Sequence, residues 1–206
     1  MTMSTQEFFA ETTRRKVAEA IARAEAQTSA EIVVVLRRTS SSSRAPALLF
    51  GVACGFATLV ALLFLPTRFA LSAFIVDVLV VFAVAAWSAR YFPGLLHALT
   101  PNDERVRNVR QAAAATFLTR GVHRCKGRNG ILVFVSMLER VVEVVADIAI
   151  DHGTMEHARA RANAALAAGD VDAFAASLEA LGVELAERHP RGADDVNELS
   201  DDVARE

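Results

Sequence analysis

Residues 45 to 89 read APALLFGVACGFATLVALLFLPTRFALSAFIVDVLVVFAVAAWSA. Between Arg44 and Arg68 there is no charged residue, and between Arg68 and Arg90 the only one is Asp77. Each half is close to the length of apolar helix that crosses a hydrocarbon core of about 30 Å. Only Pro66, Thr67 and Arg68 part them, and so short a polar break turns the chain straight back. The expectation is a tight antiparallel hairpin of two membrane spans at 45–89, the helix being a form in which a spanning backbone satisfies its own amides. A pair of buried helices in a soluble core is the alternative, but 206 residues cannot easily surround two consecutive helices of this kind.

Two features stand out inside the hairpin. Gly51 and Gly55 have the G-x-x-x-G spacing that lets another helix approach closely, either the second span or a second copy of the chain as a homodimer. Asp77 costs roughly 2.5 to 3.5 kcal/mol on insertion scales, against roughly 0.3 to 0.6 gained per Leu, Ile, Phe or Val. The second span carries eleven such residues from Phe69 to Val84 and can still insert. Counted from the turn, Asp77 is level with Ala57 and Thr58, which makes Thr58 its expected partner. A structural hydrogen bond and a transport role both remain open, although two spans with one acid do not make a proton pathway. Trp87, Tyr91 and Phe92 beside Arg90 form an interfacial belt where the chain leaves the bilayer.

The flanks are those of a globular α/β domain. Net charge is -2, which gives no reason to expect nucleic acid as a partner. Cys54 lies in the first span and Cys125 in a polar loop, so neither a disulfide nor a zinc site is expected. The first 44 residues hold no apolar run of the signal-peptide kind, so the hairpin itself is expected to direct insertion. Ser4 and Glu7 have capping-box spacing for a helix to about Gln27, with Phe9, Val17, Ile21 and Ala24 on its apolar face. Glu31 to Leu36, E-I-V-V-V-L, is a strand buried on both faces. A serine-rich linker leads from it to Arg44.

Beyond the hairpin, Thr100-Pro101-Asn102-Asp103 opens a helix with threonine at its N-cap, an apolar stripe of Val106, Val109, Ala113 and Phe117, and a stop at Gly121. The loop from Arg120 to Arg128 carries Arg120, His123, Arg124, Lys126 and Arg128; it is either a solvated basic loop or a binder of anions or lipid headgroups. G-I-L-V-F-V-S from Gly130 is a second strand and V-V-E-V-V-A-D a third, paired as a hairpin through Met137 to Arg140. An alanine-rich helix ends at Gly169. Asp170 then caps a helix whose Phe174, Leu178, Leu181 and Leu185 recur at i, i+4, i+7 and i+11. The tail 193–206 is acidic and expected to be mobile. No single piece has enough strands for a sheet, so residues 1–44 and 90–192 are expected to form one α/β domain. In it the first and second strands lie side by side, joined by a crossover that contains the hairpin.

T-S-A-E-I-V-V-V, then G-I-L-V-F-V-S-M-L-E-R-V-V-E-V-V-A-D, two helices, His189-Pro190 and finally N-E-L together resemble the TPM domain, in the bacterial subgroup with an inserted membrane hairpin. The resemblance covers roughly the first 36 residues and 101–199. It implies an α/β/α sandwich interrupted by the transmembrane hairpin. It also links the chain to a thylakoid lumen protein of photosystem II repair and to an auxiliary protein of an acetylcholine receptor, and to acid phosphatase activity and calcium binding among relatives. The family's aspartate ending the third strand falls on Asp147; its D-x-G-I pattern has Ala149 in place of glycine, and its N-E-L-P-D tail appears as Asn197-Glu198-Leu199-Ser200-Asp201.

Without the family, Asp147 is an acid at the C-terminal end of a strand, where open α/β sheets bind ligands. With Asp151 four residues on, a hard divalent cation such as calcium, held by the two carboxylates, is one reading; a turn cap and a solvated acid is the other. No G-x-G-x-x-G, P-loop, G-x-S-x-G or H-E-x-x-H motif is present. The leading expectation is therefore a membrane-anchored binding or auxiliary module for other membrane proteins, and the second a divalent-cation-dependent phosphatase using Asp147 and Asp151. Arg37, Arg38 and Arg44 precede the first span and Arg90, Arg105, Arg107 and Arg110 follow the second, against Arg68 alone in the turn. This bias places both termini in the cytoplasm of a bacterium, at its inner membrane.

Overall fold

Strand β1 (Glu31–Arg37) and strand β2 (Gly130–Ser136) lie side by side and parallel, Ile32 opposite Ile131 and Leu36 opposite Val135. This is a computed structural model, and it describes residues 11–40, 44–64, 71–192 and 203–205. The capping box of Ser4 and Glu7, the turn at Pro66 to Arg68 and the motif from Asn197 to Asp201 lie outside the described residues. The chain divides into two compact units, one formed by 1–40 with 106–206 and the other by 41–105. The second unit contains the segment 45–89 and the short stretch that follows it, to Arg105.

In the first unit β2 turns through Met137 to Arg140 into antiparallel β3 (Val141–Ala146), as the two β-branched runs around a four-residue turn require. Arg140 takes a φ of 53° in that turn. The sheet order is β3-β2-β1-β4, where β4 is Ala204–Arg205, parallel to β1. Of the tail 193–206, which was expected to be mobile, only 203–205 are among the described residues; these lie at the sheet edge, with Val203 buried in the core.

Successive strand residues point to opposite faces. Ile32, Val34, Leu36, Ile131, Val133 and Val135 face a core shared with three helices, α1 (Glu11–Glu25), α6 (His152–Ala168) and α7 (Val171–Ala186). Val33, Val35, Leu132 and Phe134 face Val109, Ala113 and Phe117 of α5 (Asn102–Thr119). Helices on both faces make a three-layered α/β/α arrangement, and each fully buried Val, Leu, Ile or Phe contributes about 1.5 to 3 kcal/mol. Of the expected stripe of α1, Val17, Ile21 and Ala24 are buried and Phe9 lies outside the described residues; Phe174, Leu178, Leu181 and Leu185 of α7 are buried as expected.

Caps set the helix bounds. Asp170 accepts from the Ala173 amide at 2.9 Å and Gly169 ends α6 at φ 69°, a left-handed conformation that costs glycine nothing. Gly182 serves a close approach, because a Cβ there would come within 2.6 Å of Ala24 Cα on α1. The Thr100 hydroxyl donates to Leu96 O at 2.8 Å, so it closes a short helix α4 (Pro93–Leu99) and is not the expected cap of α5.

In the second unit α2 (Arg44–Phe64) and α3 (Leu71–Ala89) pack antiparallel. A Cβ on Gly51 would lie 2.8 Å from Ala86 Cβ and one on Gly55 3.4 Å from Phe82 Cβ, so the G-x-x-x-G face seats the second helix of the same chain. The other faces are apolar and open: Phe56 is 66% exposed and Leu79 59%. Ala45–Phe64, with mean hydropathy 2.4, is long and apolar enough to cross a membrane; Phe74–Ala89 is a shorter apolar helix.

Candidate functional site

Parallel strands give a sheet two chemically different ends. β3 runs antiparallel to β2, so its last residue points to the end where β1 and β2 begin. Asp147 N accordingly donates to the Gly130 carbonyl at 2.9 Å. The ligand-binding crevice of open α/β sheets lies at the opposite end, beyond Arg37 and Ser136. Asp147 therefore sits at the end opposite that crevice, because β3 runs against the parallel pair.

Asp147 is nevertheless a buried acid. Its Oδ1 accepts from the Ile148 amide at 2.8 Å, and its Oδ2 faces Arg128 Nε at 3.1 Å as an ion pair outside hydrogen-bond alignment. Arg128 reaches it from a left-handed backbone, φ 52°, at the end of the basic loop. Its Nη1 also donates to the His123 carbonyl at 3.4 Å, and Val122–Arg124 coil into a single 3-10 turn. One cation of that loop is therefore committed to Asp147.

Asp151 is exposed and serves as the N-cap of α6, accepting from the Thr154 amide at 3.3 Å, with Arg188 Nη1 at 3.3 Å from its other oxygen. The Thr154 amide has the largest effect and lowers its pKa below the ordinary carboxylate value; desolvation opposes it, and the Arg188 guanidinium adds to the lowering. His189 closes the turn between the two acids: its Nε2 lies 3.1 Å from the Ala149 carbonyl, while its own carbonyl accepts from the Thr28 hydroxyl at 2.7 Å. The two expected metal ligands thus each meet an arginine. No group of three or more His, Cys, Asp or Glu able to hold a metal occurs among the described residues. A carboxylate and an arginine at 3 Å neutralise one another, and a cation would have to displace the guanidinium to bind.

The other end holds a buried acid, Glu139, in the turn between β2 and β3. Glu139 accepts from the Thr39 hydroxyl at 2.9 Å, from the Ser40 amide at 3.2 Å and from the Ser136 hydroxyl at 2.5 Å. Ser40 and Ser136 hydroxyls are 2.7 Å apart. The β1–β2 register brings these residues together, with the Met137 and Leu138 amides donating to Arg37 and Arg38 carbonyls at 3.0 Å. The network fastens the segment leaving β1 to the β2–β3 turn. Ser136 is fully buried, so it offers no nucleophile to a substrate. The signal available in the sequence was a serine and a glutamate closing one apolar run, S-M-L-E, with T-S-S-S after the other.

Asp77, in the hairpin, is exposed and level with Thr58, as the Gly51 and Gly55 contacts on Phe82 and Val78 require. The Thr58 hydroxyl, however, donates to Cys54 O at 2.9 Å on its own helix. The expected Asp77–Thr58 bond is absent because back-bonding within a helix satisfies a threonine without a partner.

No family model matches the chain, and no curated protein does. Among solved structures, it is similar in fold to the NMR structure of BA42 protein from the psychrophilic bacterium Bizionia argentinensis, with a TM-score of 0.60 and 16% identity over 98% of this chain and 99% of that one.

Proposed function

We propose that the chain is a membrane-anchored module of the TPM type, an α/β/α sandwich interrupted by a two-span hairpin at 45–89, held at the cytoplasmic face of a bacterial inner membrane. Its role in this reading is to bind and support other membrane proteins. The observation that carries it is the outer surface of α2 and α3, where Leu48, Val52, Phe56, Leu63, Ile75, Leu79 and Val84 are all exposed. Apolar surface of that extent in water marks a membrane or an interface. The pairing of β1 with β2 across the hairpin supports an even number of crossings, because both strands belong to one sheet. A homodimer through Gly51 and Gly55 would need the face that α3 covers, which favours contact within the hairpin over pairing of two copies.

The test is extraction. Full-length protein in isolated membranes should stay in the pellet through alkaline carbonate; release into the supernatant would overturn the anchor. The alternative is the divalent-cation-dependent phosphatase. Arg128 on Asp147 and Arg188 on Asp151 compete with a cation at both proposed ligands, which places this reading second. Hydrolysis of a generic phosphate ester that requires calcium, magnesium or manganese, and that Asp147→Ala abolishes, would reverse the order.

A further inference from the structure

The hairpin carries a trough at its open end, lined by Ala47 and Leu48 of α2 and by Ala83, Val84, Ala86, Trp87 and Arg90 at the end of α3, with a volume of about 850 Å³. Its origin lies in side-chain size. Ala47, Ala83 and Ala86 leave space between two helices that touch further in at Gly51, and Leu48, Val84 and Trp87 raise its walls. The lining is apolar until Arg90, the single charged residue among those that form it. Arg90 is fixed there: its Nε donates to the Trp87 carbonyl at 3.0 Å and its guanidinium carbon lies 5.9 Å from the indole centroid. Tyr91 packs edge-on against the same indole at 5.3 Å. No acid among the described residues pairs with Arg90, and the side chain is exposed, so its terminal nitrogens are open to a ligand.

We propose that this trough binds one anionic phospholipid, with an acyl chain along Ala47, Ala83 and Val84 and the phosphate held by the Arg90 fork. The inference rests on the two-span reading of the hairpin and adds to it a preference among lipids. Charge complementarity selects the occupant. An acyl chain alone would gain nothing over bulk lipid from these walls, whereas a phosphodiester gains a bidentate donor, the guanidinium beside the indole. The depth is consistent, since Trp87, Arg90 and Tyr91 are the residue types that sit at headgroup level. The volume falls within the range of small-molecule sites, about 300 to 1,000 Å³.

Trp87 is the sole tryptophan of the chain, so its fluorescence reports the trough alone. Full-length protein is placed in phosphatidylcholine vesicles containing a fixed fraction of phosphatidylglycerol, at physiological salt, where attraction by distant charges is largely screened. One lipid at a time carries brominated acyl chains, which quench indole on contact. Brominated phosphatidylglycerol should quench beyond its mole fraction, by a relative affinity of about fivefold, the gain of one arginine near an anionic surface. Arg90→Gln should bring this to about one, Arg90→Lys should keep part of it, and Arg124→Gln, an exposed basic residue elsewhere, should leave it unchanged. Quenching by both lipids in proportion to their mole fractions would overturn the lipid site while leaving the hairpin intact. Loss of the preference on adding inorganic phosphate, or its persistence in Arg90→Gln, would overturn it too. If brominated phosphatidylcholine alone fails to quench Trp87, the protein has not inserted, and the two-span reading falls with the site.

Discussion

Asn163 on α6 acts as an extra strand for β3, and removing it should open the sheet edge. Its side-chain amide donates to Val142 O at 2.7 Å and accepts from Val142 N at 2.9 Å, with a further bond to Arg159 O at 2.8 Å. Val142 is fully buried, so Asn163→Ala leaves a backbone donor and an acceptor with restricted access to water. Each such group costs about 1 to 3 kcal/mol. Taking the low end for both, because β3 is an edge strand, gives about 2 kcal/mol, from which alanine's better helix propensity returns about 0.5. A net loss of about 1.5 kcal/mol should lower the melting temperature of a chain of this size by about 3 to 6 °C. Thermal unfolding of the full-length protein in detergent measures the loss, and hydrogen exchange over 141–146 locates it. Asn163→Asp keeps the acceptor but turns a carboxylate on two carbonyls, and should be no more stable than the alanine variant. A melting shift under about 1 °C with unchanged exchange at Val142 would refute the reasoning.

Gly182→Val should destabilise by more than about 2 kcal/mol, since its Cβ would sit 2.6 Å from the Ala24 backbone and α1 and α7 must part; equal melting temperatures would contradict that packing. Asp151 stabilises α6 through a lowered folded-state pKa, so its contribution is complete above the ordinary carboxylate range and is lost as pH falls through the lowered value. Asp151→Asn should flatten that acid dependence, read as hydrogen exchange at the start of α6 between pH 6 and pH 3. Asp77→Leu should insert at least as well as the wild type, because it removes a cost of roughly 2.5 to 3.5 kcal/mol; poorer insertion in a translocation assay would show that Asp77 has a partner.

Much of the fold was legible because it is written in local pattern. The β-branched runs at Glu31 and Gly130 and the i, i+4, i+7 spacing of Phe174, Leu178 and Leu181 in α7 each need only one element's periodicity to be read. What escaped depends on tertiary neighbours. β4 is two residues long and exists by pairing with β1, so no pattern within it marks a strand. The Glu139 network joins residues about a hundred positions apart, and only the parallel register of β1 and β2 brings Thr39 and Ser40 to it. Asp147 was found as a residue, but the end of the sheet it occupies depends on the direction of β3, which its own sequence does not carry. The arginines that meet Asp147 and Asp151 come from a loop and from the end of α7, and sequence proximity to the acids pointed to neither.

The central claim is that the chain crosses a membrane twice between β1 and β2 and so keeps both parts of its sheet on one side. Reporter fusions test it most directly. Alkaline phosphatase inserted between Thr67 and Arg68 should be active, while the same enzyme after Glu206 should be inactive and green fluorescent protein there should fluoresce. Phosphatase activity at both positions or at neither would contradict the two-span hairpin, and activity only after Glu206 would reverse its orientation.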